Sequence, residues 1–335
     1  RGEFAADDVA VRTKRIREAI RTRLGSVDGS RTNLDLVLDA ALGAMGFPPK
    51  AEGKTEYLLF VGQREIERIA QLCLKHWDDL ARAAGAAPDS PSGKVAKRAA
   101  KGAVAEEIQS ALVAVLDGGK ARDLALFGRM VADLPEKNVD AACQVAHALS
   151  THRVNMEFDY YTAVDDLKPD DTQGADMIGD VQFNSACFYR YANVDVAQLA
   201  RNLQGSSDAA VETAIAFVRA SVSAVPTGKQ NSMAALNPPS LVLAVARRHG
   251  PSSLTNAFVE PVRPSADANL VVGSIRALDA YWQRLTAMYG VAGIAHGWVC
   301  TTESQALDAL TQPPVQNVDS LEKLLAALRG ALEER

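Results

Sequence analysis

Apolar residues recur at helical spacing through much of the chain. In residues 11–25, "VRTKRIREAIRTRLG", Ile16, Ile20 and Leu24 lie four residues apart among arginines, which predicts an amphipathic helix that ends at Gly25. Comparable patterns predict helices over residues 64–77, 94–119, 139–152, 196–203, 207–225, 269–290 and 320–334. The basic face of the first helix fits a solvated surface or, as the sharper alternative, a phosphate-facing one.

Short apolar or aromatic runs predict strands over residues 55–63, 121–130, 181–194, 241–250 and 294–301. Helices therefore dominate up to residue 119, whereas strands and helices alternate from residue 120. This order favours an α+β fold with a sheet of ferredoxin-like type and a helical subdomain before it. The predicted domains are residues 1–119 and 120–335.

Composition narrows the class of protein. The 335 residues are 47% hydrophobic and 23% charged, which is typical of a soluble globular protein. We expect no membrane span, no signal segment and a cytoplasmic location. Four scattered cysteines fit buried free thiols in a reducing compartment. The net charge of -5 argues weakly against nucleic-acid binding, although an acidic surface can still contain a small basic groove.

An acid-rich stretch at residues 158–183, "FDYYTAVDDLKPDDTQGADMIGDVQF", allows two interpretations. Asp165 and Asp166, with Asp170 and Asp171 nearby, could hold Mg²⁺ as paired carboxylates. Pro169 and the glycines that follow it instead indicate a long surface excursion, in which aspartate is a common turn residue. The residues favour a solvated loop over a metal site.

Other candidate chemistry is sparse. No local motif of a serine hydrolase, a nucleotide-binding loop or a zinc protease is present, and the five histidines lack ligand spacing. The loop "PTGKQNSMAALNP" at residues 226–238 offers Lys229 for a phosphate, together with neutral donors at Gln230 and Asn231. Composition alone also allows an ordinary polar turn.

Several blocks, in order, resemble one family: "ALFGRMVADLPEKNVDAACQVAHALSTHRV", "FDYYTAVDDL", "FNSACFYRYANVDVAQL", "VPTGKQNSMAALNP" and, later, "TNAF". They are similar to the CasC-type backbone subunit of the type I-E CRISPR surveillance complex, Cascade. The resemblance is strong from about residue 120 to 290. The chain begins where the family's basic N-terminal segment ends, and we expect this sequence to lack that segment.

The resemblance implies a modified RNA-recognition-motif (RRM) palm, a helical finger domain over residues 1–119 and a thumb hairpin at about 158–183. It implies no catalytic activity and no cofactor. The implied partners are the guide crRNA, neighbouring copies of the chain in a helical assembly and the other Cascade subunits, with target DNA reached through guide pairing. The resemblance further implies that each thumb pushes one nucleotide out of the guide–target duplex, so that pairing occurs in short segments.

The family's wedge positions fall on Met130, Tyr161 and Ile178, where apolar contact with a base tolerates any sequence. The guide-contacting loop falls on Lys229, Gln230 and Asn231. Arg129 is a candidate backbone contact because it adjoins Met130. The alternative function is a metal-dependent ribonuclease that uses the thumb-region carboxylates Asp165 and Asp166.

Overall fold

The computed structural model describes residues 2–25, 33–85, 104–118, 120–163 and 177–334. Their helices are α1 (Ile16–Gly25), α2 (Leu34–Ala44), α3 (Gln63–Lys75), α4 (Trp77–Gly85), α5 (Glu106–Ala114), α6 (Arg122–Phe127), α7 (Val196–Asn202), α8 (Ser207–Ser223), α9 (Gln230–Met233), α10 (Leu270–Tyr289) and α11 (Leu321–Glu333). The strands are β1 (Ala10–Thr13), β2 (Leu59–Gly62), β3 (Cys143–Val145), β4 (Leu149–Ser150), β5 (Glu157–Ala163), β6 (Met177–Phe183), β7 (Phe188–Tyr189), β8 (Ala192–Val194), β9 (Leu241–Arg247), β10 (Ile294–Thr301) and β11 (Val315–Asn317). This mixture confirms the α+β class.

The chain divides into two compact units, residues 1–144 with 194–220, and residues 145–193 with 221–335. The first unit therefore extends past the predicted boundary at residue 119 and includes a later segment. The assignment of residues 1–119 to a finger and 120–335 to a palm remains a prediction.

The first unit has a helical core. Ile16, Ile20 and Leu24 of α1 are buried, as the four-residue spacing predicted. They belong to one apolar cluster with residues of α2, α3, α4 and α5. Strands β1 and β2 pair antiparallel. The Asp123 carboxylate accepts hydrogen bonds from the Ala10 and Leu124 amides, which joins β1 to the start of α6.

The second unit contains a three-stranded sheet in the order β11-β10-β9. Strands β9 and β10 are antiparallel, whereas β10 and β11 are parallel. Leu278 and Trp282 of α10 lie in one buried cluster with Val299 of β10 and Val315 of β11. An RRM has a four-stranded sheet, so the RRM-like topology remains a prediction.

Strands β5 and β6 form an antiparallel hairpin in the same unit, within the predicted thumb. All seven residues of β5 are exposed. Residues 164–176, which connect the two strands, lie outside the described residues.

Most predicted helices and three predicted strands are confirmed, and three elements are corrected. Residues 121–130, expected to be a strand, contain helix α6, because a short apolar run fits a helix turn as well as a strand. Residues 139–152, expected to be a helix, contain β3 and β4. Their amides pair with distant carbonyls, as in Ala146 N to Tyr191 O and Thr151 N to Cys187 O. The long strand expected over 181–194 is divided among the end of β6, β7 and β8.

The remaining differences concern single segments. Residues 226–238, expected to be a loop, include the one-turn helix α9. The start of the helix predicted over 94–119 falls on undescribed residues, and its described part is α5.

Candidate functional site

Met130 stands exposed on a backbone that is fixed on both sides. Its relative exposure is 83%. On one side, Arg129 and Val139 exchange two backbone hydrogen bonds of 2.9 Å. On the other, the Val131 amide donates to Asn138 Oδ1 at 2.6 Å. The backbone that carries Met130 is therefore fixed, while the apolar side chain itself remains exposed.

Gly128 permits the turn that leads to Met130. Its φ is 73°, a left-handed conformation that side chains disfavour. A Cβ at this position would also lie 2.6 Å from the Val139 carbonyl oxygen and 2.8 Å from the Ala141 nitrogen. The backbones of residues 128 and 139–141 therefore approach each other at a distance that only glycine allows.

The Arg129 side chain is buried and is not accessible to a ligand at the surface. Its Nη1 donates to both oxygens of Glu65, at 3.0 and 2.9 Å, and the two side chains are 2% and 0% exposed. Arg129 Nη2 has no hydrogen-bond partner among the described residues. A guide contact by Arg129 remains a prediction, and it would require the guanidinium to leave this ion pair.

Glu65 is a buried residue next to the Met130 loop that sequence reasoning missed. Besides Arg129, its carboxylate accepts the amides of Gly62 at 2.7 Å and Gly118 at 2.8 Å. It thereby joins the start of α3 to the segment before α6 and to the Met130 loop. The available signal was a glutamate at the third helical position, directly before an apolar run, which is one half of a capping box.

The side chains of Tyr161 and Ile178 project from opposite faces of the hairpin. Tyr161 pairs with Gly179, and Ile178 pairs with Thr162. Because paired residues share a face and neighbours along a strand alternate, the two predicted wedge residues point away from each other. Exposed apolar side chains occur on both strands: Phe158, Tyr160, Tyr161, Met177 and Ile178. Such clusters of exposed apolar surface mark interaction sites.

Lys229, Gln230 and Asn231 lie together in an exposed segment. Lys229 precedes α9 with φ 54°, and Ala234 follows it with φ 48°. The Lys229 carbonyl accepts the Met233 amide at 2.9 Å, which closes the single helical turn. Within the described ranges the Lys229 ammonium has no ion-pair partner, so its charge is available to an anion.

The site residues divide between the two compact units. Arg129 and Met130 belong to the first, whereas Tyr161, Ile178 and the Lys229 segment belong to the second. Asp165, Asp166, Asp170 and Asp171 lie outside the described residues. Among the residues that are described, no group of three or more His, Cys, Asp or Glu side chains is placed to hold a metal ion.

Cys73 and Cys143 are buried as expected, whereas Cys187 and Cys300 are only partly buried, and none of the five histidines is buried. His152 Nε2 accepts the Cys187 amide at 3.1 Å, near the base of the hairpin. All four cysteines are free thiols. Burial raises the pKa of the Cys73 thiol to about 12 and that of Cys143 to about 11.

In the described part of the chain, no helix is long and apolar enough to cross a bilayer.

Two solved structures with a similar fold are chains of CRISPR surveillance complexes. A chain described as "CRISPR RNA-guided surveillance complex, pre-nicking" superposes with a TM-score of 0.76 at 28% identity, covering 97% of this chain and 85% of its own length. A chain of another "CRISPR RNA-guided surveillance complex" gives 0.55 at 34% identity, covering 63% and 78%. No curated protein sequence matches.

The fold is thus similar to that of subunits of CRISPR surveillance complexes. The sequence matches the Cas_CT1975 family, described as CT1975-like protein, over residues 1–327. The chain belongs to this family.

Proposed function

We propose that the chain is a non-catalytic, guide-RNA-binding backbone subunit of a CRISPR surveillance complex of the type I-E Cascade kind. The family and the similarity to surveillance-complex subunits support this class. The observation that carries the mechanism is Met130, an exposed apolar side chain on a backbone held by hydrogen bonds on both sides.

In this proposal Met130 acts as a wedge in the guide–target duplex. Separating a base from its neighbours costs a few kcal/mol per step, and apolar contact with the exposed base faces offsets part of that cost. Because every base has such a face, the contact is independent of sequence. A subunit that coats any guide needs this tolerance, since base pairing reads the target.

The hairpin contributes two contacts rather than one. Tyr161 and Ile178 leave opposite faces of β5 and β6, so we assign them to different groups of the nucleic acid, one on each side of the thumb. The tyrosine ring suits stacking on a base, whereas the isoleucine suits packing against a base or a sugar.

The segment of Lys229, Gln230 and Asn231 contacts the guide backbone in this proposal. A lysine without an ion-pair partner in the described residues neutralises a phosphate, and the two amides donate to phosphate or sugar oxygens. Arg129 acts by positioning Met130, because its guanidinium is already occupied by Glu65.

The expected partners are crRNA, neighbouring copies of this chain in a helical assembly and the other subunits of a cytoplasmic complex. Target DNA is reached through pairing with the guide. We expect an intact assembly, incubated with Mg²⁺ and a complementary RNA, to leave that RNA uncleaved. Cleavage at regular intervals would instead establish the ribonuclease alternative.

The test of the wedge uses an assembly reconstituted with guide RNA and a thymine-rich target strand. Permanganate oxidises unpaired thymines, so displaced positions should give a regular pattern of reactivity. Met130→Ala should reduce that reactivity at every interval. Met288→Ala, which truncates another exposed methionine, should leave it unchanged. A uniform pattern in the unsubstituted assembly would reject the proposed function.

A further inference from the structure

A small cleft lies directly beside Met130. Its volume is about 360 Å³, and its lining consists of two short segments of the first unit, residues 127–130 and 138–141. The cleft is shallow and widely open to solvent, and its volume is at the lower end of the roughly 300–1,000 Å³ of small-molecule sites. Met130 itself is one of the lining residues, so a group moved by the Met130 side chain would have the cleft next to it.

An exposed aromatic ring borders the cleft. Phe127, the last residue of α6, is 48% exposed. Its ring meets that of Phe217 on α8 edge to face, with centroids 6.3 Å apart at 61°. This contact fixes the orientation of the Phe127 ring while about half of the side chain stays accessible. An oriented aromatic ring beside a cleft is a platform on which a planar base can stack.

The charges of the lining favour a base over a phosphate. The lining contains one cation, Arg129, whose side chain is buried and paired with Glu65. Its one carboxylate, Asp140, is exposed, and it would repel a phosphate. Asn138 uses its Oδ1 to accept the Val131 amide, which leaves its amide group as a donor. Asp140 as an acceptor and Asn138 as a donor match the polar edges of nucleobases.

We propose that this cleft receives the guide nucleobase that Met130 displaces, with Phe127 as the stacking platform. The proposal rests on the proposed function, because it presumes that a base is displaced. It adds a second role to the same loop: Met130 separates the base from its neighbours, and the cleft beside it holds the base outside the duplex.

The test places 4-thiouridine at a displaced position of the guide in the reconstituted assembly. Irradiation should cross-link this base to the peptide that contains Phe127, identified by mass spectrometry, whereas 4-thiouridine at a paired position should not reach it. Phe127→Leu keeps an apolar side chain without the aromatic face, and we expect it to lower cross-linking on the order of tenfold. Tyr57→Leu, at an exposed aromatic residue outside the lining, is the matched control.

Two results separate this inference from the proposed function. If cross-links map to other peptides while permanganate reactivity keeps its regular pattern, bases are displaced but the cleft does not receive them, and the inference is wrong. If the permanganate pattern is also absent, the proposed function fails first. Tyr57→Leu, at a residue outside the lining, should keep both the cross-link and the permanganate pattern.

Discussion

The ring of Tyr161 lies across Gly179 on the facing strand of the hairpin. A Cβ at residue 179 would stand 2.6 Å from Tyr161 Oη and 2.7 Å from its Cζ. The absence of a side chain at Gly179 is therefore what lets the tyrosine lie against the hairpin instead of projecting from it. The resting position of a proposed wedge residue depends on its cross-strand partner.

Gly179→Ala should move the Tyr161 ring into solvent. The atoms that the new methyl group meets belong to the far end of a mobile side chain, so we expect the free energy of unfolding to change by no more than about 0.5 kcal/mol. Nitration by tetranitromethane, mapped by mass spectrometry, should become faster at Tyr161. Gly228→Ala is the control, because a Cβ there has no atom within 4 Å. Unchanged nitration of Tyr161 would contradict the described packing.

Glu65→Ala should strongly destabilise the first unit. It leaves the buried Arg129 charge and the amides of Gly62 and Gly118 without their acceptor. Breaking a buried ion pair by removing one partner costs about 3–5 kcal/mol, measurable by denaturant unfolding. Arg82→Ala removes a largely exposed pair with Asp79 and should cost at most about 1 kcal/mol. Equal effects of the two variants would mean that burial does not govern the Glu65–Arg129 pair.

Gly128→Ala should cost more than Gly205→Ala. Both glycines have positive φ, 73° and 82°, so each alanine suffers backbone strain, and at Gly128 the ψ of 175° adds to it because this combination is essentially restricted to glycine. Only at residue 128 does the Cβ also meet backbone atoms, whereas at residue 205 nothing lies within 4 Å. The difference between the two free energies of unfolding therefore reports the restrictive backbone conformation of residue 128 together with its close approach to residues 139–141.

Lys229→Gln should weaken guide binding to a similar extent for every guide sequence. If Lys229 neutralises one phosphate, the slope of log K against log salt should become shallower by about 0.7 for each bound subunit on single-stranded RNA. Lys323→Gln is the control, because Lys323 of α11 is paired with Asp319, which precedes that helix. Titrations at several salt concentrations provide the measurement, and an unchanged slope would remove Lys229 from the interface.

Alkaline pH should destabilise the protein through its buried thiols. Burial raises the pKa of Cys73 from 9.0 to about 12, so the folded state retains a proton that the unfolded state loses. This contribution to stability is fully present below pH 9.0 and is lost as the pH rises toward 12. Cys73→Ala should reduce the pH dependence of unfolding in that window. A pH dependence equal to that of the unsubstituted protein would contradict this assignment.

Local patterns were informative wherever the chain's own periodicity decides the structure. The spacing of Ile16, Ile20 and Leu24 predicted α1 and its buried face, and α3, α8, α10 and α11 followed from the same reasoning. Burying one apolar stripe determines a long helix almost independently of its neighbours. Lys229 and its neighbours were likewise expected in a polar turn, and they are exposed.

The secondary structure of short segments was predicted less well, because hydrogen bonds to distant residues determine it. Residues 139–152 have enough alanine and leucine for a helix, yet their amides bond to carbonyls about 35 to 45 residues away. Residues 122–127 became a helix, α6, and the side chain of its Asp123 accepts a hydrogen bond from the distant Ala10 amide. No local pattern contains these long-range hydrogen bonds.

The chain's own residues were enough to indicate the fold class, the long helices, the exposed hairpin and the family resemblance, because these depend on periodicity and on ordered motifs. Only the tertiary structure decided that Arg129 is buried against Glu65, that Tyr161 and Ile178 leave opposite faces, and that Phe127 borders a cleft beside Met130. Each of these three findings depends on which distant segment packs against the residue. The burial of a side chain and the direction in which it points follow from the distant segments that pack against it, and its neighbours in sequence do not determine them.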